Sequence, residues 1–189
     1  MKVITAVEQY NPKPNQVSVF LGGGITNCKQ WQKEVINLLS KSNENLDNLI
    51  IYNPRRDNFP IDDPNASNEQ IKWEFDYLMT SDIFSMFFCG DTQSDQPICQ
   101  YELGRYIPIK LSELSTKYNN KLTPQDVIII TSEPQYKRIK DVEIQSKLAL
   151  FDDYIINNNL QQHVNQIIKC YKIVNNYKNE SEISKQNNK

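Results

Sequence analysis

The sequence contains a single histidine, His163, and only four cysteines among 189 residues. A catalytic triad that uses histidine would therefore depend on that one side chain. The cysteines form no Cys-x-x-Cys pair and have no zinc-ligand spacing, so we expect no metal site. Isolated thiols of this kind are typical of proteins kept in a reducing compartment.

Long apolar runs and an excess of one charge are also missing. No run approaches the ~18 apolar residues that cross a bilayer, and the first residues have neither a signal nor a transit pattern. Lys plus Arg number 21 and Asp plus Glu number 23, which gives a formal charge of −2. We therefore expect a cytoplasmic protein with neither a membrane nor a nucleic-acid polymer as its partner.

The chain has the length of one domain that buries a sizeable core. We expect residues 1–174 to form this domain and the polar residues 175–189 to form a disordered tail. Residues 1–16 are polar and contain Pro12 and Pro14, which predicts an extended lead-in rather than a packed element.

Short apolar runs alternate with amphipathic segments along the chain. The apolar runs predict buried strands at residues 17–21, 49–52, 83–88 and 127–130. Helices are predicted from Thr26 or Asn27 onward, from 65–68 onward, from Pro97, over 141–150 and over 158–174. This alternation predicts an α/β fold, a flavodoxin-like three-layer sandwich with a central parallel sheet of about five strands.

Parallel sheets bind ligands at the edge where their strands end. Four segments follow predicted strands and should share that edge: residues 22–27, 53–56, 89–96 and 131–134. Gly22, Gly23 and Gly24 open the first of them, where glycine lets the backbone approach a ligand. A tight turn between strand and helix explains the same glycines, and the third glycine of a dinucleotide fingerprint is replaced by Asn27.

Carboxylates are concentrated between Trp73 and Gly104, a stretch that contains no Lys or Arg. Two carboxylates that converge on one pocket can break a glycosidic bond, one as the nucleophile and the other as an acid or as a ligand of the sugar hydroxyls. The alternative is a solvated acidic face, in which Asp91 and Asp95 cap a helix and Glu102 pairs with Arg105.

An ordered series of short motifs runs from residue 20 to residue 104. Together they resemble the nucleoside 2-deoxyribosyltransferase family, especially its "nucleoside 2-deoxyribosyltransferase-like" branch. The resemblance covers residues 18–107 well and is weaker over 127–150. The motifs are Phe20-Leu21-Gly22-Gly23-Gly24-Ile25, Trp31-Gln32, Asn53-Pro54-Arg55-Arg56, Gln70-Ile71-Lys72-Trp73-Glu74, Ser81-Asp82-Ile83, Pro97-Ile98 and Tyr101-Glu102-Leu103-Gly104.

The resemblance implies an enzyme that cleaves the N-glycosidic bond of (deoxy)nucleosides and passes the sugar to a free nucleobase, without a metal or an organic cofactor. It implies that Glu102 is the nucleophile, that Glu74 holds the sugar hydroxyls, and that Asp95, or alternatively Asp91, serves the sugar or the base. It also implies that residues 22–25, up to Ile25, line the pocket, and that the protein is a homo-oligomer.

Further residues are candidates for binding the nucleoside or nucleotide substrate. Arg55 and Arg56, which follow Asn53 in its motif, are suited to a 5′-phosphate or to an ion pair with the acidic cluster. Four aromatic side chains are suited to stacking on a base, although aromatic side chains more often pack in the core: Trp73, Tyr101, Phe20 and Phe88. His163 lies among apolar residues of a predicted helix and is expected to have a structural role.

Two other functions share the same fold. A nucleoside 5′-monophosphate N-glycosidase would transfer the sugar to water instead of to a base. A catalytically silent relative would bind a nucleotide-like ligand or serve as an assembly subunit. A weaker interpretation, a dinucleotide-binding module, depends on residues 22–24 alone.

Overall fold

The computed structural model describes residues 1–60, 62–91 and 94–187. Strands and helices alternate along most of this length. In chain order they are β1 (Lys2–Thr5), β2 (Val17–Gly23), α1 (Trp31–Ser40), β3 (Leu49–Asn53), α2 (Ala66–Thr80), β4 (Ile83–Phe88), α3 (Pro97–Thr116), α4 (Pro124–Val127), β5 (Ile128–Ser132), α5 (Ile139–Ala149) and α6 (Leu160–Asn187).

The five strands form one parallel sheet in the order β1-β3-β2-β4-β5. Almost every residue of β2, β3, β4 and β5 is buried, which explains why these strands are continuous apolar runs rather than alternating ones. Helices α1 and α6 contact each other on one side of the sheet. On the other side, α3 contacts both α2 and α5. The predicted α/β sandwich with a parallel sheet is therefore confirmed.

The direction in which the chain adds strands to the sheet reverses between β2 and β4. From β2 the chain moves outward to β3, and from β3 it crosses back to place β4 on the other side of β2. The carboxyl ends of two such neighbouring strands leave a crevice between their outgoing connections, and ligands of doubly wound sheets bind there. The glycine segment that ends β2 lies at this point.

The prediction for residues 1–16 is wrong, because Lys2–Thr5 forms the edge strand β1. This strand pairs with β3, with Ile4 opposite Tyr52, and Ile4 is buried. One buried side chain and one neighbouring strand suffice for an edge strand, and a run this short leaves no clear periodic signal.

The prediction that the first helix begins at Thr26 or Asn27 is also wrong, because α1 begins at Trp31. Asn27 has φ of 57°, which lies in the left-handed region and ends any helical continuation. Residues 24–30 therefore form a loop over the end of the sheet instead of a helical turn.

The polar tail expected after residue 174 is helical up to Asn187, and residues 188–189 lie outside the described residues. Lys178 donates to the Asp82 carboxylate at 2.8 Å and to the carbonyl of Gln16 at 2.6 Å. The polar composition is that of a helix with one solvated face. None of the helices within 1–60, 62–91 and 94–187 is long and apolar enough to cross a membrane.

Candidate active site

The glycine segment at the end of β2 is shaped by its neighbours in the sheet. Gly23 has φ of +149°, and a Cβ atom there would lie 2.3 Å from the Phe87 carbonyl oxygen and 2.7 Å from the Trp31 ring. A Cβ atom on Gly24 would meet Cys28 Sγ at 2.4 Å. Only glycine fits here, because the backbone passes so close to β4 and to α1.

Arg55 holds the loop that follows the glycines. Its Nη2 donates to the carbonyl oxygens of Ile25 and Lys29, both at 3.0 Å, and its Nε donates to Gln32 Oε1 at 2.8 Å. Trp31 Nε1 adds a bond to the Gly24 carbonyl at 2.9 Å. The guanidinium is thus bonded to this loop and to Gln32, rather than to the acidic cluster proposed from the sequence.

Glu74 projects from α2, one turn after Gln70. The Gln70 amide nitrogen donates to Glu74 Oε1 at 2.8 Å and to the Pro54 carbonyl at 3.0 Å, which connects α2 to the loop after β3. Burial raises the pKa of Glu74, and the hydrogen bond from Gln70 opposes that rise.

Glu102 projects from the second turn of α3. Burial raises the pKa of Glu102, and the negative charge of Glu74 raises it further, to about 8. Arg105, the alternative partner that the sequence suggested, lies over the Phe75 ring at 4.6 Å instead. The two carboxyl groups therefore form an electrostatically coupled pair.

The start of α3 is fixed by Gln96. This residue is 4% exposed and has φ of 48°. Its side-chain amide accepts a bond from the Cys89 N–H at 3.1 Å and donates to the Cys89 carbonyl at 2.8 Å, so that it continues the end of β4. Pro97 then occupies the first turn of α3, where its missing N–H is not needed. This arrangement fixes the start of the helix that carries Glu102.

These elements form a cleft of about 210 Å³ that is partly open to solvent. Its walls combine apolar side chains, the glycine backbone and the two carboxyl groups. The lining residues are Phe20, Gly22, Gly23, Gly24, Ile25, Thr26, Pro54, Glu74, Ser94, Gln96, Pro97, Ile98, Cys99 and Glu102. Within the described residues, no group of His, Cys, Asp and Glu side chains is arranged to hold a metal ion.

The structure brings seven of the sequence-predicted residues together at this cleft: Phe20, Glu74, Glu102 and residues 22–25. Asp95, predicted for the sugar or the base, turns outward, is 56% exposed at its side chain and forms an ion pair with Lys137 at 3.3 Å. Asp91, its alternative, is exposed and does not line the cleft.

Three other predicted binding residues also lie outside the described lining. Trp73 is buried and donates its Nε1–H to the carbonyl of Glu8 at 2.7 Å, so it packs in the core. Tyr101 is 64% exposed on the outer face of α3. Asn53 accepts a bond from the Arg55 N–H at 3.1 Å and shapes the turn after β3.

Sequence reasoning did not single out Gln96, Ser94, Thr26 or Pro54 as residues of the site. Gln96 has no motif of its own, and its role depends on the left-handed backbone that brings its amide to Cys89. Its position directly before Pro97 was the available signal, because a residue before proline is disfavoured in the α region.

Residues 16–111, just over half of the chain, match the sequence model of a family described as nucleoside 2-deoxyribosyltransferase like. The matched stretch runs from β2 into α3 and contains the glycine segment, Glu74 and Glu102. A comparison with curated proteins found no match. The matched stretch is thus the part of the chain from which the cleft is built.

Proposed function

The chain belongs to the nucleoside 2-deoxyribosyltransferase-like family, and from that premise we propose that it cleaves the N-glycosidic bond of (deoxy)nucleosides and transfers the deoxyribosyl group to an acceptor base. The family that the sequence motifs resembled is the one that the comparison identifies. The proposal assigns Glu102 as the nucleophile and Glu74 as the residue that holds the sugar hydroxyls.

One observation carries this proposal: two carboxyl groups, Glu74 and Glu102, share one cleft at the switch point of the sheet, where burial and the charge of Glu74 raise the pKa of Glu102 to about 8. Cleavage of a glycosidic bond needs an ionised oxygen to attack the anomeric carbon and a proton for the leaving group. A carboxyl pair that holds a single proton supplies both.

In the first half of the proposed reaction, the proton of the Glu102 carboxyl passes through solvent water in the open cleft to a ring nitrogen of the base, because the base lies on the face of the sugar opposite the attacking carboxylate. The resulting carboxylate forms a bond to C1′ while the C1′–N bond breaks, which leaves a glycosyl ester on Glu102 and a neutral base. The charge of Glu74 stabilises the oxocarbenium-like transition state.

In the second half, the acceptor base attacks C1′ of the ester and returns a proton to the carboxyl pair. Two displacements at the same carbon retain its configuration. The glycine segment supports this chemistry, because residues 22–24 present bare backbone to the cleft and leave room for the sugar.

The charge of the cleft favours nucleosides over nucleoside 5′-monophosphates. No Lys or Arg is among the described residues that line it, whereas two carboxyl groups are. Of the two arginines expected to bind a phosphate, Arg55 bonds to backbone carbonyls of the loop. Arg56 lies over the Phe59 ring at 5.5 Å and is not among the lining residues. A dianionic phosphate would therefore meet like charge without a cationic partner.

The test is a base-exchange and hydrolysis assay over a panel of nucleosides and their 5′-monophosphates, with and without free bases. We expect exchange with nucleosides, and a rate that falls as the pH rises through about 8, where the pair loses its last proton. Glu102→Gln should lower the rate at least about 10³-fold. Glu69→Gln, a change at an exposed glutamate of α2, is the matched control.

Each other result has a definite meaning. Release of base without exchange would replace the transferase by an N-glycosidase that uses water. Full activity of the Glu102→Gln variant would remove the proposed nucleophile. No product from any substrate, with folded protein, would favour a silent binding or assembly subunit.

A further inference from the structure

We propose that Gln70 is a positioning residue that keeps Glu74 ionised, so that the single proton of the carboxyl pair stays on Glu102 until the leaving base takes it. The catalytic meaning of this allocation rests on the proposed function. The allocation itself is a property of the free protein and is testable without a substrate.

The orientation of the Gln70 amide is fixed by two acceptors. Its nitrogen donates one hydrogen to Glu74 Oε1 at 2.8 Å and the other to the Pro54 carbonyl at 3.0 Å. A flipped amide would place its own oxygen against both of these oxygen atoms. The loop after β3 therefore locks the amide with its donor side toward Glu74.

The same orientation leaves the oxygen atom of the Gln70 amide without a hydrogen-bond donor in the described part of the chain. This atom, Gln70 Oε1, is also buried. An unsatisfied buried acceptor is destabilising. The amide is nevertheless found in this orientation, which retains the N–H donor for Glu74.

Glu102 has no comparable donor among the described residues. The only charge that shifts its ionisation is that of Glu74, which repels a second negative charge. The titratable side chains of α3 that feel Glu102 are Cys99 and Tyr106, and burial raises the pKa of each, so that both are neutral near pH 7. The hydrogen bond from Gln70 is therefore the donor contact that distinguishes Glu74 from Glu102 among the described residues.

This difference links two events in the proposed reaction. As long as Glu102 carries the proton, it is a neutral acid and cannot attack C1′. The O–H bond of Glu102 breaks when the N–H bond of the base forms, and only then is the carboxylate free to form its bond to C1′. Gln70 thereby makes activation of the nucleophile conditional on a base that accepts the proton.

The experiment is a titration of the free protein by ¹³C NMR with the glutamate carboxyl carbons labelled, assigned with Glu74→Gln and Glu102→Gln. In the wild type, Glu74 should titrate at a lower pH than Glu102, whose midpoint we expect near 8. In Gln70→Met, which keeps the side-chain volume and removes the donor, the midpoint of Glu74 should rise and that of Glu102 should fall by about one unit or more.

Gln100→Met is the matched control. Gln100 lies on the neighbouring helix, and its amide donates to the Tyr136 hydroxyl at 2.8 Å and to the Asp95 carbonyl at 3.2 Å. Its replacement should leave both midpoints in place. Unchanged midpoints in folded Gln70→Met would overturn the proposal.

A measurement on the wild type covers the case in which Gln70→Met does not fold. The ¹⁵N chemical shift of the Gln70 side-chain amide should change with pH at the same midpoint as Glu74. A chemical shift that stays constant through the titration of Glu74 would overturn the proposal. Because neither titration uses a substrate, the expected midpoints without any exchange or hydrolysis would refute the proposed function and leave the role of Gln70 standing.

Discussion

Gly23 and Gly104 both lie on elements that carry the cleft, but an added methyl group meets opposite surroundings. At Gly23 a Cβ atom would lie 2.3 Å from a backbone oxygen of β4, on a residue with positive φ. At Gly104, in the interior of α3, a Cβ atom would meet nothing within 4 Å. The first glycine is required by close packing, and the second only lowers the stability of its helix.

We therefore expect two alanine substitutions to have effects of opposite sign. Gly23→Ala should lower the free energy of unfolding by about 2 kcal/mol or more, because neither β4 nor the backbone can yield. Gly104→Ala should raise it by about 1 kcal/mol through helix propensity. Urea denaturation of both variants is the measurement, and a loss of stability in Gly104→Ala would contradict the expectation.

At this scale the sequence identified the residues whose position follows from the end of a strand or from helical spacing. Glu74, Glu102 and Gly22 to Gly24 lie at the cleft, and their motifs predicted it. Asp95 and Tyr101 do not line it, although each is close in sequence to a residue that does. The direction of a side chain depends on the turn that carries it, and the left-handed conformation of Gln96 has no sequence signal that fixes it.

At the scale of elements, α6 is tied to the sheet through a buried carboxylate. Asp82, at the start of β4, accepts bonds from Ser18 N–H at 2.9 Å and from Tyr118, and its side chain forms ion pairs with Lys117 and Lys178, both at 2.8 Å. Burial alone would raise the pKa of Asp82, but the two lysines outweigh it and lower that pKa to about 2.

This pKa has a consequence for acid stability. The folded value lies below the unfolded value of about 3.9, so the stabilisation is complete above pH 4 and is lost as the pH falls toward 2. In Lys178→Met the pKa of Asp82 should rise and the free energy of unfolding at pH 7 should fall by about 2 kcal/mol. Denaturation of both proteins across pH 7 to 3 checks this, with Lys172→Met, on the exposed face of α6, as the control.

The elements that the sequence misplaced are those that long-range contacts decide. Residues 1–16 have little periodicity, yet Lys2–Thr5 pairs with β3. Residues 175–187 are polar, yet Lys178 holds them to Asp82, which lies 96 positions earlier in the chain. Local patterns predicted the central strands and helices well because each of those buries a continuous apolar run or stripe.

For the molecule as a whole, the only histidine makes stability depend on pH. His163 of α6 is fully buried and meets the stacked Trp31 and Phe87 rings edge-on, with centroids at 5.7 and 5.4 Å. It shares a 2.7 Å hydrogen bond with the Thr131 hydroxyl. Burial lowers the pKa of His163 to about 3. His163 is therefore packed in the core, as the sequence predicted.

Because the unfolded pKa of histidine is about 6.5, the unfolded chain binds a proton below that pH while the folded protein does not, down to about 3. As the pH falls through this window, the free energy of unfolding should therefore decrease by about 1.4 kcal/mol for each pH unit, from His163 alone. In His163→Gln this pH-dependent contribution is absent, whatever change in the free energy of unfolding the substitution causes through altered packing. A difference between the two proteins that stays constant from pH 6 to pH 4 would contradict the assignment.

The ion pair between Lys178 and Asp82 also has a consequence for synthesis on the ribosome. β4 is translated long before α6, so Asp82 emerges without this cation and waits for residue 178 to leave the exit tunnel. Until then Asp82 has Ser18, Lys117 and Tyr118 as its protein partners and lacks only the second cation. The ion-pair network at the start of β4 is therefore completed only after translation of α6, and chaperone capture of nascent chains should end at that length.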